Sequence, residues 1–173
     1  AKIIQLRDNK LPTTDLIKLA VKIKTICKHS GVLFIVNNYP EVAFASDADG
    51  LHLGQGDIPT EVAHRLLPLN KILGVSVTNA EEAQAAERGG ADYVAASAIF
   101  HTPTKEEAIS IGLEGLRIIK NAVKIPVVAI GGVNISNVDD VIAAGADSVA
   151  VVSAVLSSDD PVKATAKLSS RFE

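Results

Sequence analysis

Cysteine occurs once in the 173 residues, at Cys27, and methionine does not occur at all. A lone cysteine forms no internal disulfide, so the chain is not a disulfide-stapled scaffold. Cys27 falls on the apolar side of an amphipathic segment and reads as a core residue in a reducing compartment, with the cytoplasm the expected location. The absence of methionine leaves a numbering that starts on Ala1 and runs straight into a strand, which implies either a segment lying before it or a removed initiator. Long apolar runs are missing too: none reaches the length of a membrane span, and the opening Ala-Lys-Ile-Ile-Gln-Leu-Arg lacks a signal-peptide layout. Nor is there an excess of positive charge. A formal net charge of −3 gives no general attraction to nucleic acid or to an anionic membrane, so basic groups act locally and the expected partners are small molecules. A homo-oligomer is left open.

What the chain has is apolar content, 47% against 21% charged, enough to bury one sizeable core in a single domain over residues 1–173. Strand-like runs fall at residues 3–6, 32–36, 50–53, 72–77, 93–96, 126–130 and 148–152. The clearest amphipathic segment between them, residues 15–28, sets Leu16, Leu19, Ala20, Ile23 and either Ile26 or Cys27 on one face, with Thr14 as its cap. Asn79 and Glu82 have capping-box spacing for a helix ending near Gly89. Ser136 opens a helix that stops near Gly145, and Asp160 followed by Pro161 starts another where the missing N–H costs nothing.

Three tetrapeptides echo one another: Asp47-Ala-Asp-Gly, Gly90-Ala-Asp-Tyr and Gly145-Ala-Asp-Ser each end a helix and lead into an apolar strand. The pattern is one of repeated βα units. Strands that are nearly all apolar are expected to be buried on both faces, which calls for a parallel sheet covered by helices. A doubly wound sheet and a barrel both satisfy this. Polar or glycine residues follow almost every strand (Arg7, Asn37, Gln55 with Asp57, Ser76, residues 102–105, Gly131 with Gly132, and Ser153), which favours a (β/α)8 TIM barrel whose strand ends converge on one rim. Seven strands are one short, so the first βα unit is expected to precede Ala1.

Residues 98–105, Ala-Ile-Phe-His-Thr-Pro-Thr-Lys, gather two hydroxyls, a proline and a lysine just beyond a buried strand. Hydroxyls and a lysine donate to phosphate oxygens, and Pro103 limits the freedom lost on closing over a ligand. Such a tetrapeptide in isolation is ordinarily a solvated loop; the company it keeps suggests more. Ala129-Ile-Gly-Gly-Val and Val151-Val-Ser-Ala follow the last two strands, where barrels of this type hold phosphate through backbone amides; a tight turn without ligand is the alternative. Asp57, after Leu53-Gly-Gln-Gly, suits Mg²⁺, an oxygen-seeking ion that bridges phosphates, although an aspartate before Ile58-Pro59 also reads as a helix cap. His52 lies within a strand and reads as a core or rim group, His29 and His64 as solvent-facing helix residues, and His101 as a loop-tip residue.

Taken in order, Gln5-Leu-Arg7, Phe34-Ile-Val-Asn37, Asp49-Gly-Leu-His-Leu-Gly-Gln-Gly-Asp57, Leu73-Gly-Val-Ser76, Ile99-Phe-His-Thr-Pro-Thr-Lys105, Ile111-Gly-Leu, Val128-Ala-Ile-Gly-Gly132 and Val151-Val-Ser153 resemble the thiamine phosphate synthase family over nearly the whole chain. The resemblance implies condensation of 4-amino-2-methyl-5-(diphosphooxymethyl)pyrimidine with a thiazole phosphate, giving thiamine phosphate and pyrophosphate. It implies that Gln5, Arg7, Asn37, Ser76 and Lys105 hold the pyrimidine diphosphate, with Arg7, Ser76 and Lys105 the catalytic set. Asp57 and Asn38 would face Mg²⁺, and Thr102, Thr104, Gly132, Val152 and Ser153 would hold the thiazole phosphate. Two positions depart from the family pattern: Asn9, followed by Lys10, stands where a lysine is usual, and Asn38 where an aspartate is usual. Both fall on the diphosphate and metal half. Thiazole tautomerases share the fold and much of the pattern and are the nearest alternative, with His101 or His52 as the candidate base; a catalytically silent phosphate-binding barrel is another.

Overall fold

The three Ala-Asp turns explain how the strands are placed. In the first, the Asp49 amide donates to the Phe34 carbonyl at 2.8 Å while its carboxylate accepts from the Phe34 amide at 2.8 Å. Asp92 does the same to Leu73, at 2.8 Å both ways, and Asp147 to Val127, at 2.9 and 2.7 Å. Each aspartate leads into one strand and grips the start of the strand before it in sequence. Ahead of each buried alanine (Ala48, Ala91, Ala146) stands a residue with positive φ: Asp47 at 51°, Gly90 at 92° and Gly145 at 100°. The sequence echo is therefore a repeated clamp that sets the pairing of neighbouring strands.

The structure, a computed structural model, describes residues 1–102 and 109–172. It divides into two compact units, Ala1–Val75 with Gly89–Asp92, and Ser76–Arg88 with Tyr93–Glu173. The first unit runs β1 (Ile3–Leu6), α1 (Thr13–His29), β2 (Leu33–Asn37), α2 (Pro40–Ala45), β3 (Gly50–Leu53), α3 (Thr60–Leu66) and β4 (Ile72–Val77), whose last two residues belong to the second unit. Strands β1 to β4 pair in sequence order, all parallel, with Leu6 opposite Val36, Asn37 opposite His52 and His52 opposite Gly74. Its core is built on Leu16, Phe34, Val36, Leu51, Leu53 and Leu73.

The second unit holds α4 (Ala80–Arg88), β5 (Tyr93–Ser97), α5 (Gly112–Ala122), β6 (Val127–Ile130), α6 (Val138–Ala143), β7 (Ser148–Ala150), α7 (Ser153–Leu156) and α8 (Pro161–Ser169), then a short 3-10 turn, Ser170–Phe172. Strands β5, β6 and β7 are again parallel and in order. Val94, Leu116, Ile119, Val127, Val138 and Val141 are buried in it. The α/β class with parallel strands is thus as expected from the sequence. Strands β2 to β5 are buried on both faces along most of their length, β6 alternates buried with half-buried residues, and β1 and β7 are more exposed. Among the described residues β1 pairs with β2 alone, so Ile3 and Ile4 lie exposed on an edge.

The helix starts divide into those read correctly and those corrected. Asp160 caps α8, accepting from the Lys163 amide at 2.9 Å with Pro161 in the first turn. Asn79 caps α4 by accepting from the Glu82 amide at 2.9 Å, and Glu82 reaches back to the Thr78 amide at 2.6 Å, one residue beyond the usual box. Thr14 does not cap α1: the helix begins at Thr13 after Pro12, and no side chain caps it. On α1, Cys27 is the buried member of the open pair, while Ile26 is 66% exposed.

The clamp at Asp49 is reinforced by Lys24 on α1, at 2.5 Å. Burial opposes ionisation of Asp49, but Lys24 and the Phe34 amide outweigh it and leave the carboxyl below the ordinary 3.8. A depressed folded-state pKa means that the ionic contribution is present above the unfolded value and is lost as pH falls through the folded one. Asp49→Ala strands the amide of fully buried Phe34 and should cost about 1–3 kcal/mol. Urea unfolding should show that gap at about pH 7 and a smaller one at about pH 3; equal midpoints at neutral pH would show that the clamp adds no stability.

Candidate functional site

Because paired strands are parallel, the C-terminal ends of β1, β2 and β3 share one edge of the first unit's sheet, and those of β5, β6 and β7 share one edge of the second unit's. On the first edge, Gln5 is exposed on β1 and Arg7 is exposed one residue past it. The next residues form a tight turn in which the Asp8 carboxylate accepts from the amides of Lys10, at 2.7 Å, and Leu11, at 2.8 Å. The Leu11 and Lys10 amides hold the Asp8 carboxyl below its ordinary pKa. Asn9 and Lys10 therefore sit within a folded turn directly after Arg7.

Asn37 ends β2 and is only 7% exposed; its side-chain amide donates to Oδ1 of Asn38. Asn38 has φ of 67°, a left-handed conformation that asparagine adopts more readily than most residues. The Asn38 amide donates to the His52 carbonyl at 2.8 Å, tying the exit of β2 to β3. Asp57 closes the turn after β3: its Oδ2 accepts from the Gly54 amide at 2.7 Å, and its own amide donates to the Gly54 carbonyl at 3.2 Å. It does not cap α3, which begins at Thr60 after Pro59. His52 is 5% exposed, and burial pushes its pKa from 6.5 down to about 4, so the ring is neutral near neutral pH and belongs to the core, as read from its place in a strand.

On the second edge, Thr102 after β5 is half-buried; Ser76, on β4, is half-buried too. Thr104 and Lys105, with Pro103, lie outside the described residues. The base of the segment after β5 is held firmly. The amides of Ile99 and Phe100 donate to the carbonyls of Ile130 and Gly131, at 2.9 and 3.0 Å, while those of Ile111 and Gly112 donate to the carbonyls of Ala98 and Ile99, at 2.9 and 3.1 Å. Gly131 and Gly132 have φ of 101° and 67°. A Cβ on Gly131 would lie 2.6 Å from that of Ala98, and one on Gly132 would lie 2.7 Å from both the His101 carbonyl oxygen and Phe100 Cβ. These glycines were expected to admit a ligand. What they demonstrably admit is the protein's own segment 98–101.

The Gly132 carbonyl accepts from the side-chain amides of Asn134, at 3.2 Å, and Asn137, at 3.1 Å. Neither asparagine stood out in the sequence, where Asn-x-x-Asn after Gly-Gly was the only signal. Ser136, expected to open a helix, instead donates its amide and hydroxyl to Asn134 Oδ1 at 2.9 and 2.6 Å, and α6 starts at Val138. Val152 is exposed, and Ser153 is exposed as the first residue of α7. Among the described residues there is no group of three or more His, Cys, Asp or Glu able to hold a metal ion, and no helix is long and apolar enough to cross a membrane.

Parallel strands with polar loops at their C-terminal ends define an α/β protein, and comparison with known proteins makes it an enzyme, a transferase. A chain from Methanoregula boonei, a thiamine-phosphate synthase, is 51% identical over 173 residues, covering 99% of this chain and 80% of that one. The thiamine-phosphate synthase of Moorella thermoacetica is 50% identical over 169 residues, covering 97% and 80%. The solved thiamine phosphate pyrophosphorylase of Pyrococcus furiosus superposes with a TM-score of 0.92 at 44% identity, covering 99% of this chain and 83% of its own. The family model for thiamine monophosphate synthase matches residues 1–155. The chain belongs to the thiamine monophosphate synthase family.

The burial of His52 has a direct readout. An NMR titration should find its ring neutral down to about pH 5, with a midpoint at about 4; a midpoint near 6.5 would mean that the ring is not desolvated.

Proposed function

We propose that this chain condenses 4-amino-2-methyl-5-(diphosphooxymethyl)pyrimidine with a thiazole phosphate, releasing pyrophosphate and forming thiamine phosphate. The observation that carries this reading is the family match over residues 1–155, because every residue it draws upon falls within that span. The C–O bond to the diphosphate breaks first, its electron pair leaving with pyrophosphate. The thiazole nitrogen lone pair then forms the C–N bond to the pyrimidine-methyl cation. No protein nucleophile is needed; cations and hydrogen bonds must stabilise the leaving group, and water must be kept from the cation.

In this reading Gln5, Arg7, Asn37, Ser76 and Lys105 hold the pyrimidine diphosphate. Arg7 and Lys105 meet the charge that develops on pyrophosphate, and Ser76 adds a hydroxyl donor. Thr102, Thr104, Gly132, Val152 and Ser153 hold the thiazole phosphate. The succession of βα units with strands buried on both faces supports reading the fold as a (β/α)8 barrel.

Mg²⁺ would be held by Asp57 and Asn38, a pair of oxygen donors that suits the ion. When bound, it would screen the diphosphate charge. Asp57 spends Oδ2 on the Gly54 amide, and Asn38 Oδ1 already accepts from Asn37, so the two residues are a partial ligand set that substrate oxygens would complete. The tautomerase alternative requires a base, and His52, with its pKa at about 4, is a weak one.

Incubation with both substrates and Mg²⁺ should yield thiamine phosphate and pyrophosphate in equal amounts; tight thiazole phosphate binding without product would overturn the synthase reading. Lys105→Ala should lower kcat by about 10²–10³-fold, the usual cost of removing one donor from a developing charge, and unchanged turnover would return residues 102–105 to a solvated loop.

Asn38→Asp keeps the acceptor for Asn37 at a position where aspartate also tolerates positive φ. It should tighten Mg²⁺ binding without diphosphate by about tenfold, roughly 1.4 kcal/mol of added charge attraction. A Mg²⁺ titration of both forms that shows no difference would mean that position 38 does not face the metal.

A further inference from the structure

Asn137 occupies the N-cap of α6, yet its side chain makes no cap hydrogen bond. Asparagine is among the best N-cap residues because its side chain satisfies an otherwise orphaned amide of the first turn. Here that interaction is forgone. Asn137 turns both of its side-chain groups back toward the strand: Oδ1 accepts from the Asn134 amide at 2.8 Å, and Nδ2 donates to the Gly132 carbonyl at 3.1 Å. Asn134 Nδ2 is the second donor to the same carbonyl, at 3.2 Å, while Asn134 Oδ1 is held by the amide and hydroxyl of Ser136. The Gly132 carbonyl is thus fixed by two side chains that are themselves fixed.

A trans peptide is planar, so orienting its carbonyl orients the following N–H in the opposite direction. The two asparagines therefore aim the Val133 amide away from themselves. Val133 is buried, and no acceptor for its amide is found among the described residues. A buried amide calls for an acceptor, which a phosphate oxygen can supply. On the other side of the same turn, Gly132 abuts the His101 carbonyl and Phe100, so the turn that carries the Val133 amide also seats the segment leading to Thr102.

We infer that Asn137 and Asn134 are positioning residues for the thiazole phosphate: by gripping the Gly132 carbonyl they hold the Val133 amide of the same peptide ready for a phosphate oxygen. They act through that peptide and do not touch the substrate. The inference rests on the proposed assignment of Gly132 to the thiazole phosphate.

The test uses Asn137→Ser, a neutral change that keeps a good N-cap residue for α6 but is too short to span to the Gly132 carbonyl. Calorimetry with thiazole phosphate should show a Kd raised about tenfold, the size expected when a charge-assisted hydrogen bond is misaligned. Steady-state kinetics should show the same rise in KM for thiazole phosphate, an unchanged KM for the pyrimidine diphosphate, and kcat within about twofold of wild type, the signature of lost uniform binding. A purely structural role would lower the melting temperature and leave the folded protein's two substrates equally affected.

If Asn137→Ser does not fold, Asn134→Ser, which removes the other donor to Gly132, decides the matter with an expected rise of about threefold. An unchanged Kd in a folded variant, or equal losses for both substrates, overturns the positioning role and leaves the functional reading intact. Failure of the wild type to bind thiazole phosphate overturns both.

Discussion

A single aspartate residue making two hydrogen bonds to one residue of the preceding strand is the constraint on which the rest depends. In a sheet the side-chain period is two, so a slip of one residue turns every core side chain toward the wrong face. Asp49, Asp92 and Asp147 each oppose that slip by engaging both the N–H and the C=O of one residue in the first two positions of a strand, Phe34, Leu73 and Val127. Two of the three are reinforced by a lysine from the helix before the gripped strand, Lys24 with Asp49 and Lys120 with Asp147. The third turn lacks such a lysine and instead packs its Gly90 against the His64 ring, so closely that a Cβ there would fall 2.6 Å from it. Register set at the strand starts is register set at the strand ends.

The two sheet edges are built in different ways. On the first, side chains carry the polarity: Arg7, the Asn37–Asn38 pair and Asp57 project from loops that are themselves closed by hydrogen bonds. On the second, the backbone carries much of it, because Gly131 and Gly132 remove side chains where the segment after β5 crosses the exit of β6. Side chains can be exchanged one at a time. A backbone cup tolerates little change, since any Cβ at Gly132 meets the His101 carbonyl before it meets a ligand.

Much of the architecture was legible in the residues. The strands at 3–6, 50–53 and 72–77 were read to the residue, because short, mostly apolar runs flanked by polar or glycine residues carry both their identity and their limits. The Asp160 cap was legible because it is local, one side chain and one amide three residues apart. The readings at Thr14 and Ser136 failed for the complementary reason. Each residue type suits a cap, but what a hydroxyl bonds depends on which partner the chain brings near, and for Ser136 that partner was Asn134 Oδ1.

By itself the sequence determined the succession of βα units, the parallel class that apolar strands require, and the family, because each rests on period, composition or an ordered set of short motifs. Only the tertiary structure decided what those motifs do. The Ala-Asp echo became a clamp once its aspartates met Phe34, Leu73 and Val127, residues 15 to 20 positions away. The two glycines after β6 became the seat of a neighbouring loop, and two unremarked asparagines became the holders of a carbonyl. His52 became a neutral core residue because burial, which no local pattern encodes, removed the water that would stabilise its charge.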